Sequence, residues 1–172
     1  MAPDPPERSG DGDEPVKRTS FEGDPCPIAR ALDVIGDWWS LLIIRDALLG
    51  RRRFGEFQKS LGLAKNILTT RLRMLVDEGI LTTAPASDGS AYQEYVLTDK
   101  GRGLFPVIVA LRQWSEAFDA HPEQIDTILV DREKGAPVQK LALYSMDGRA
   151  LGPADTTLKP RPPLKPKRRV NA

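Results

Sequence analysis

The stretch Arg53 to Leu81, RFGEFQKSLGLAKNILTTRLRMLVDEGIL, narrows what this chain can become more than any other part of it. Phe54, Phe57 and Leu61 recur at i, i+3 and i+7, a helical period, and Gly62 interrupts it. After Leu63 and Ala64 a second helix is predicted to about Glu78. It would bury Leu68, Leu72 and Leu75 and stop at Gly79, where a left-handed C-terminal cap belongs. Two amphipathic helices joined by a short Gly-containing turn have the spacing that lays the second helix in a DNA major groove.

Steps of about 100° per residue place Asn66, Thr70 and Arg73 almost opposite the leucine stripe, with Thr69 at their edge and Lys65 in the opening turn. Asn bonds adenine in a bidentate way, Arg does the same to guanine, and Thr offers a hydroxyl and a methyl. Lys65, Asn66, Thr69, Thr70 and Arg73 are therefore the candidate base readers. The competing reading is an ordinary solvated helix face. The residues C-terminal to the second helix favour base reading: Ile80 to Pro85 and Tyr92 to Leu97 flank an Asp88-Gly89 turn, a strong hairpin signal, and a hairpin after a recognition helix is a wing.

Upstream, Trp39 to Leu49 (WSLLIIRDALL) is nearly all apolar, stops at Gly50, and reads as the central buried helix. Ile28 to Ile35 forms a shorter helix ending at Gly36, with Pro27 at its first position. Trp39 is expected in the core; Trp38, beside Asp37, packs or lines a pocket or subunit contact.

These pieces together carry a family resemblance. Cys26-Pro27, Ile35-Gly36 followed by Trp39, Arg53-Phe54 with Glu56-Phe57, Asn66-Ile67-Leu68 with Arg71-Leu72-Arg73, Glu78-Gly79-Ile80-Leu81, and Tyr95-Val96-Leu97-Thr98 with Gly101 resemble the HxlR group of bacterial winged-helix regulators, close to the MarR group in architecture. The resemblance runs from Cys26 to Phe118 and implies a DNA-binding homodimer acting at palindromic operators. The sequence departs from it in two places. Ala64 stands where many relatives carry a capping Ser, and the wing tip has Ser87, Asp88 and Ser90 without Lys or Arg. Asp88 repels phosphates unless it caps its own turn.

Phosphate contacts are expected instead at Arg51, Arg52 and Arg53, clustered where a helix N-terminus already favours anions, with the hydroxyls of Ser87 and Ser90 as the wing's candidates. The alternative is a solvated charge run. Arg71, near the buried stripe, suits an internal ion pair as well as it suits DNA. Beyond the wing, Thr98-Asp99 is predicted to cap one helix running through Leu104, Val107, Ile108, Leu111, Trp114, Ser115 and Phe118. A small winged domain needs no such apolar helix, so Leu104, Val107, Ile108, Leu111, Trp114 and Phe118 are candidates for a dimer interface. Packing within one chain is the alternative.

A chain of 172 residues, 40% hydrophobic, accommodates one ordinary domain with appendages. It has neither a membrane-length apolar run nor a signal-peptide core, so it is expected to be cytoplasmic, with no membrane partner. The net charge of +1 hides an asymmetry: residues 1 to 24 carry a net of −4 and residues 153 to 172 a net of +5. Both ends are rich in Pro and poor in apolar residues, so 1–24 is predicted as an acidic disordered tail and 153–172 as a basic one. In the latter, Lys159, Arg161, Lys165, Lys167, Arg168 and Arg169 are suited to DNA phosphates without sequence preference.

Between the winged domain, 25–122, and the basic tail lies a small strand-containing extension, 123–152. Its cues are Thr127 to Val130, Val138 to Tyr144 and an Asp147-Gly148 turn. Some relatives carry paired cysteines here, resembling a zinc knuckle, but Asp131 to Gly135 and Ser145 to Gly148 hold no Cys, and no metal site of that kind is expected. A single Cys and a single His, His121 at a helix end, exclude an intramolecular disulfide, and no catalytic constellation or cofactor site is recognisable.

Cys26 precedes a helix N-terminus, which favours thiol reactivity. The resemblance makes it a candidate switch for oxidants or electrophiles; the other reading is a small buried residue. A small-molecule effector acting near Trp38 and Trp114 is a further candidate. The expected fold is thus α+β and mainly helical: a winged helix-turn-helix with a two-stranded wing, a C-terminal dimerisation helix and a strand-containing extension. The expected function is sequence-specific regulation of transcription as a homodimer on double-stranded operator DNA, by repression. The alternative is a winged-helix module for protein contacts or nonspecific DNA architecture.

Overall fold

The computed structural model describes residues 20–119, 123 and 125–161. The sequence readings at His121 and at Lys165, Lys167, Arg168 and Arg169, and most of the N-terminal tail, lie outside them. The chain divides into two compact units between Phe105 and Pro106.

The first unit holds α1 (Pro27–Ile35), α2 (Trp38–Leu48), α3 (Phe54–Leu61), α4 (Lys65–Asp77), the strands β1 (Leu81–Pro85) and β2 (Gln93–Leu97), and a single turn of helix, α5 (Asp99–Arg102). α2 is its centre and packs against α3, α4 and β2. Ile43 and Ile44 of α2, Phe57 of α3 and Leu68, Leu72 and Leu75 of α4 lose all contact with solvent, joined by Ile80 and Leu81 at the entry to the wing. The apolar positions of four elements thus meet in one core. Trp39 is only half-buried, short of the core position expected, and its ring meets Trp38 edge-on at 6.5 Å.

β1 and β2 pair antiparallel from Leu81 opposite Leu97 to Pro85 opposite Gln93. Phe57 and Tyr95 meet edge to face at 6.4 Å, and the Tyr95 N–H donates to Arg52 O at 2.8 Å, so the wing is tied to the segment before α3. At its exit the Thr98 hydroxyl donates to Gly79 O at 2.7 Å and accepts from the Gly101 N–H at 3.1 Å, capping α5 while holding it to the end of α4.

The single helix expected from Thr98 to Phe118 is in fact two, α5 and α6 (Phe105–Phe118), interrupted at Gly103-Leu104. Pro106 explains the interruption, because it has no N–H to donate to the carbonyl of Arg102. α6 groups with the segment after it in the second unit.

There, β3 (Leu143–Tyr144) and β4 (Ala150–Leu151) pair antiparallel, and Val130 makes an isolated bridge with Pro137. The strand cue at Val138 to Tyr144 is realised only at its end. Earlier in that stretch, the Gln113 side chain takes a strand's place: its amide donates to Gln139 O at 3.1 Å and its carbonyl accepts from the Leu141 N–H at 2.8 Å. Asp131 accepts from the Glu133 N–H at 2.9 Å, and Asp147 from Ser145 and from the Arg149 N–H, so carboxylates close both turns. The Ser145 hydroxyl and the Arg149 N–H hold the Asp147 carboxyl below its ordinary range.

Candidate nucleic-acid interface

α4 is positioned from both ends and from one side. At its C-terminus the Ile80 N–H reaches Leu75 O and the Gly79 N–H reaches Val76 O, both at 2.9 Å, with Gly79 at φ 65°. This paired closure satisfies carbonyls the helix leaves open. Its buried stripe faces α2 and α3; Asn66, Thr70 and Arg73 lie on the opposite face with Thr69 at its edge, whereas Lys65 stands in the first turn nearer the stripe, and all five are exposed.

At the other end the expected cap is missing: Ala64 has extended geometry, φ −61° and ψ 141°, and no side chain takes over the cap. Ala64→Ser is therefore expected to stabilise the domain by about 1 kcal/mol. Urea unfolding tests this, and an unmoved midpoint would contradict the cap argument.

The threonines are less versatile than their residue type suggests. Thr69 donates its hydroxyl proton to Lys65 O at 2.7 Å and Thr70 to Asn66 O at 2.9 Å. Each retains an oxygen that accepts and a methyl suited to thymine. Asn66 keeps its amide for other contacts.

The cations divide sharply. Arg71 turns inward and meets Asp37 at 3.1 Å, while the other oxygen of Asp37 accepts from the Ser40 N–H and caps α2. Of the two roles open to Arg71, the internal pair is the one formed. Arg51 lies 3.3 Å from fully buried Asp46, which Arg45 also meets at 2.9 Å. Arg52 lies 3.7 Å from Glu94, and Arg53 reaches Asp88 at 2.5 Å and Glu94 at 3.5 Å. Lys65 and Arg73 pair with no carboxylate among the described residues.

The start of α3 is itself occupied by an acid. Glu56 accepts from the backbone N–H groups of Arg52 at 2.7 Å and Arg53 at 2.9 Å, which holds its carboxyl below its ordinary value. The Arg53 N–H is one of the groups at the helix start expected to favour an anion, and an internal carboxylate already uses it.

In the wing, Asp88 does cap its own turn, accepting from the Ser90 N–H at 3.0 Å. The Arg53 hydrogen bond, then those from Ser90, hold its carboxyl well below the usual range, and Asp88 in turn raises Arg53. For Glu94, burial pushes the carboxyl up, but hydrogen bonds from Ser87 and then Arg53 outweigh it and the net shift is downward. The Ser87 hydroxyl donates to Glu94 at 3.1 Å, whereas Ser90 is half-buried. Sequence reading missed Glu94, Asp46 and Asp37. Strand alternation offers a signal for Glu94, since it points one residue in two inward, and Asp37 stands at the N-cap position before α2, a helix-start signal; nothing local signals Asp46.

Elsewhere, Cys26 is an exposed free thiol just before α1, not a buried one, and its N–H donates to Asp24 at 2.7 Å. On α6, Val107, Leu111, Trp114 and Phe118 are exposed, Phe118 to 80%, and Ile108 is half-buried; Leu104, also half-buried, lies not on α6 but in the break before it. Among the described residues no helix is long and apolar enough to cross a membrane, and no group of three or more His, Cys, Asp or Glu side chains is placed to hold a metal.

Compared with known proteins, residues 34–123 match the HxlR-like helix-turn-helix family. An uncharacterised HTH-type transcriptional regulator of Mycobacterium tuberculosis is 36% identical over 147 residues, 86% of this chain and 92% of that one. The uncharacterised HTH-type regulator YdeP of Bacillus subtilis is 32% identical over 107 residues, 62% of this chain and 82% of its own. Among solved structures, PA1607, a candidate transcription factor, aligns with a TM-score of 0.77 at 55% identity, over 82% of this chain and 99% of that chain. The redox regulator HypR in its oxidized form aligns at 0.50 and 31% identity, over 56% and 100%.

Proposed function

Because the chain belongs to the HxlR-like helix-turn-helix family, whose members here are transcriptional regulators and not enzymes, we propose that it is a repressor. It binds a palindromic operator as a homodimer and reads bases with the exposed face of α4. The observation that carries this reading is the division of the cations. Arg51, Arg52, Arg53 and Arg71 are held by carboxylates, Arg52 the most loosely, while Arg73, beside Asn66 on the exposed face, and Lys65 in the first turn of α4 have no carboxylate partner among the described residues.

The exposed face of α6 supports a homodimer and, with it, a palindromic operator. Val107, Leu111, Trp114 and Phe118 form an exposed apolar stripe that a twofold partner would cover, and a twofold dimer is the symmetry that a palindrome with half-sites about one turn of DNA apart requires.

The deciding experiment is a gel shift with the DNA directly upstream of the chain's own gene. Tight binding that survives excess unrelated competitor is expected; equal competition by any duplex would leave only nonspecific architecture or protein contacts.

Regulation through Cys26 is the second part of the proposal, supported by the exposed thiol and by likeness to a redox regulator. Diamide or a quinone is expected to release operator DNA from the native chain and not from Cys26→Ser. Release from both would remove Cys26 from the switch.

A further inference from the structure

We propose that Arg53, Asp88 and Glu94 form a latch seating the wing on the start of α3, so that Arg53 acts as a positioning residue for operator reading and not as a phosphate contact. The proposal rests on the DNA-binding reading above for its operator term, but its structural term can be tested without DNA.

The three side chains come from three places. Arg53 is the residue immediately before α3, Asp88 lies in the turn at the wing tip, and Glu94 is the second residue of β2. Arg53 meets Asp88 at 2.5 Å and Glu94 at 3.5 Å, and the Ser87 hydroxyl bonds the same Glu94 oxygen at 3.1 Å. One guanidinium thus spans the tip and the returning strand. The wing root is already held by the Tyr95 N–H to Arg52 O bond, so without Arg53 the root stays fixed while the tip loses its tether.

A DNA phosphate could recruit Arg53 only by displacing these carboxylates. Glu94 is 4% exposed, and losing Arg53 would leave this buried charge with only the longer 3.7 Å contact to Arg52 and the Ser87 hydroxyl. A phosphate offers Arg53 no comparable return at a solvent-facing backbone. The pair therefore stays closed on DNA, which explains an acid at Asp88 on a surface where it would otherwise only repel.

This gives an effect of unexpected sign. Asp88→Asn keeps the oxygen that caps the turn and drops the charge, so simple repulsion predicts tighter binding to all DNA. The latch predicts the reverse for the operator. Binding of the full chain is measured on its own upstream duplex and on an unrelated duplex of equal length, across a salt series. Asp88→Asn is expected to weaken the upstream duplex by about threefold or more, while affinity for the unrelated one holds. Arg53→Gln should do the same with an unchanged salt slope, and adding Asp88→Asn to it should cost nothing further.

The idea is overturned if Asp88→Asn tightens both duplexes alike, or if Arg53→Gln flattens the salt slope by about 0.9, the signature of one lost phosphate contact. Backbone amide exchange of the DNA-free chain gives the second readout. Residues 86–92 should exchange faster in Asp88→Asn and in Arg53→Gln, and Arg53→Lys should restore part of the protection. Unchanged exchange overturns the latch even if the operator reading holds. A native chain without preference for its upstream DNA overturns the operator reading, and the latch is then decided by exchange alone.

Discussion

Arg73→Ala is expected to weaken operator binding by about 1 to 3 kcal/mol, roughly 5- to 150-fold, and to relax base preference at the position it reads. Arg73 is exposed, sits opposite the buried Leu68, Leu72 and Leu75, and has no carboxylate partner among the described residues. Its guanidinium is therefore free for a bidentate contact without first breaking an internal pair. Arg52→Ala provides the contrast. Arg52 is 52% exposed at its side chain and only 3.7 Å from Glu94, a loose pair, so its loss should weaken every sequence alike. Titration against operator and mutated-operator duplexes separates the two. Equal losses on all duplexes for Arg73→Ala would remove it from base reading.

Gly101→Ala is expected to destabilise the first unit by about 3 kcal/mol, a large part of the margin of a domain this size. A Cβ at this buried position would lie 2.2 Å from Ile80 O and 2.8 Å from Leu97 Cδ2. Ile80 O cannot simply retreat, because it accepts from the Thr98 N–H at 3.1 Å, and the Gly101 N–H is itself bound to the Thr98 hydroxyl. Relief would have to pull the wing exit away from the end of α4. A urea midpoint within about 1 kcal/mol of the native chain would show that the contact relaxes freely.

Much of the fold was legible because its signals are local. The 3.6-residue period marked α3 and α4, Gly62 and Gly79 both adopt left-handed φ of 65°, and Asp88-Gly89 makes the wing turn. The division of α5 from α6 was missed although its cause, Pro106, stands in the sequence; the apolar stripe continues across it and masked the interruption. The strand cue at Val138 to Tyr144 misled for a different reason. Part of the hydrogen-bonding partner there is a side chain, Gln113, 26 residues from Gln139, and no strand pattern anticipates that.

The candidate site divides along the same line. Residue type and period alone determined which side chains of α4 could face a groove, because a helix fixes direction through its own geometry. Which arginines remain available was decided only by tertiary structure. Arg53 meets Glu94 across 41 positions, and Arg71 meets Asp37 at the N-cap of another helix. An ion pair depends on distance through space, which a local period does not encode. The arginine run at 51–53 and the face of α4 look alike as charge in the sequence. Folding pairs Arg51 and Arg53 closely with carboxylates and Arg52 only loosely, and leaves Lys65 and Arg73 without a carboxylate partner among the described residues.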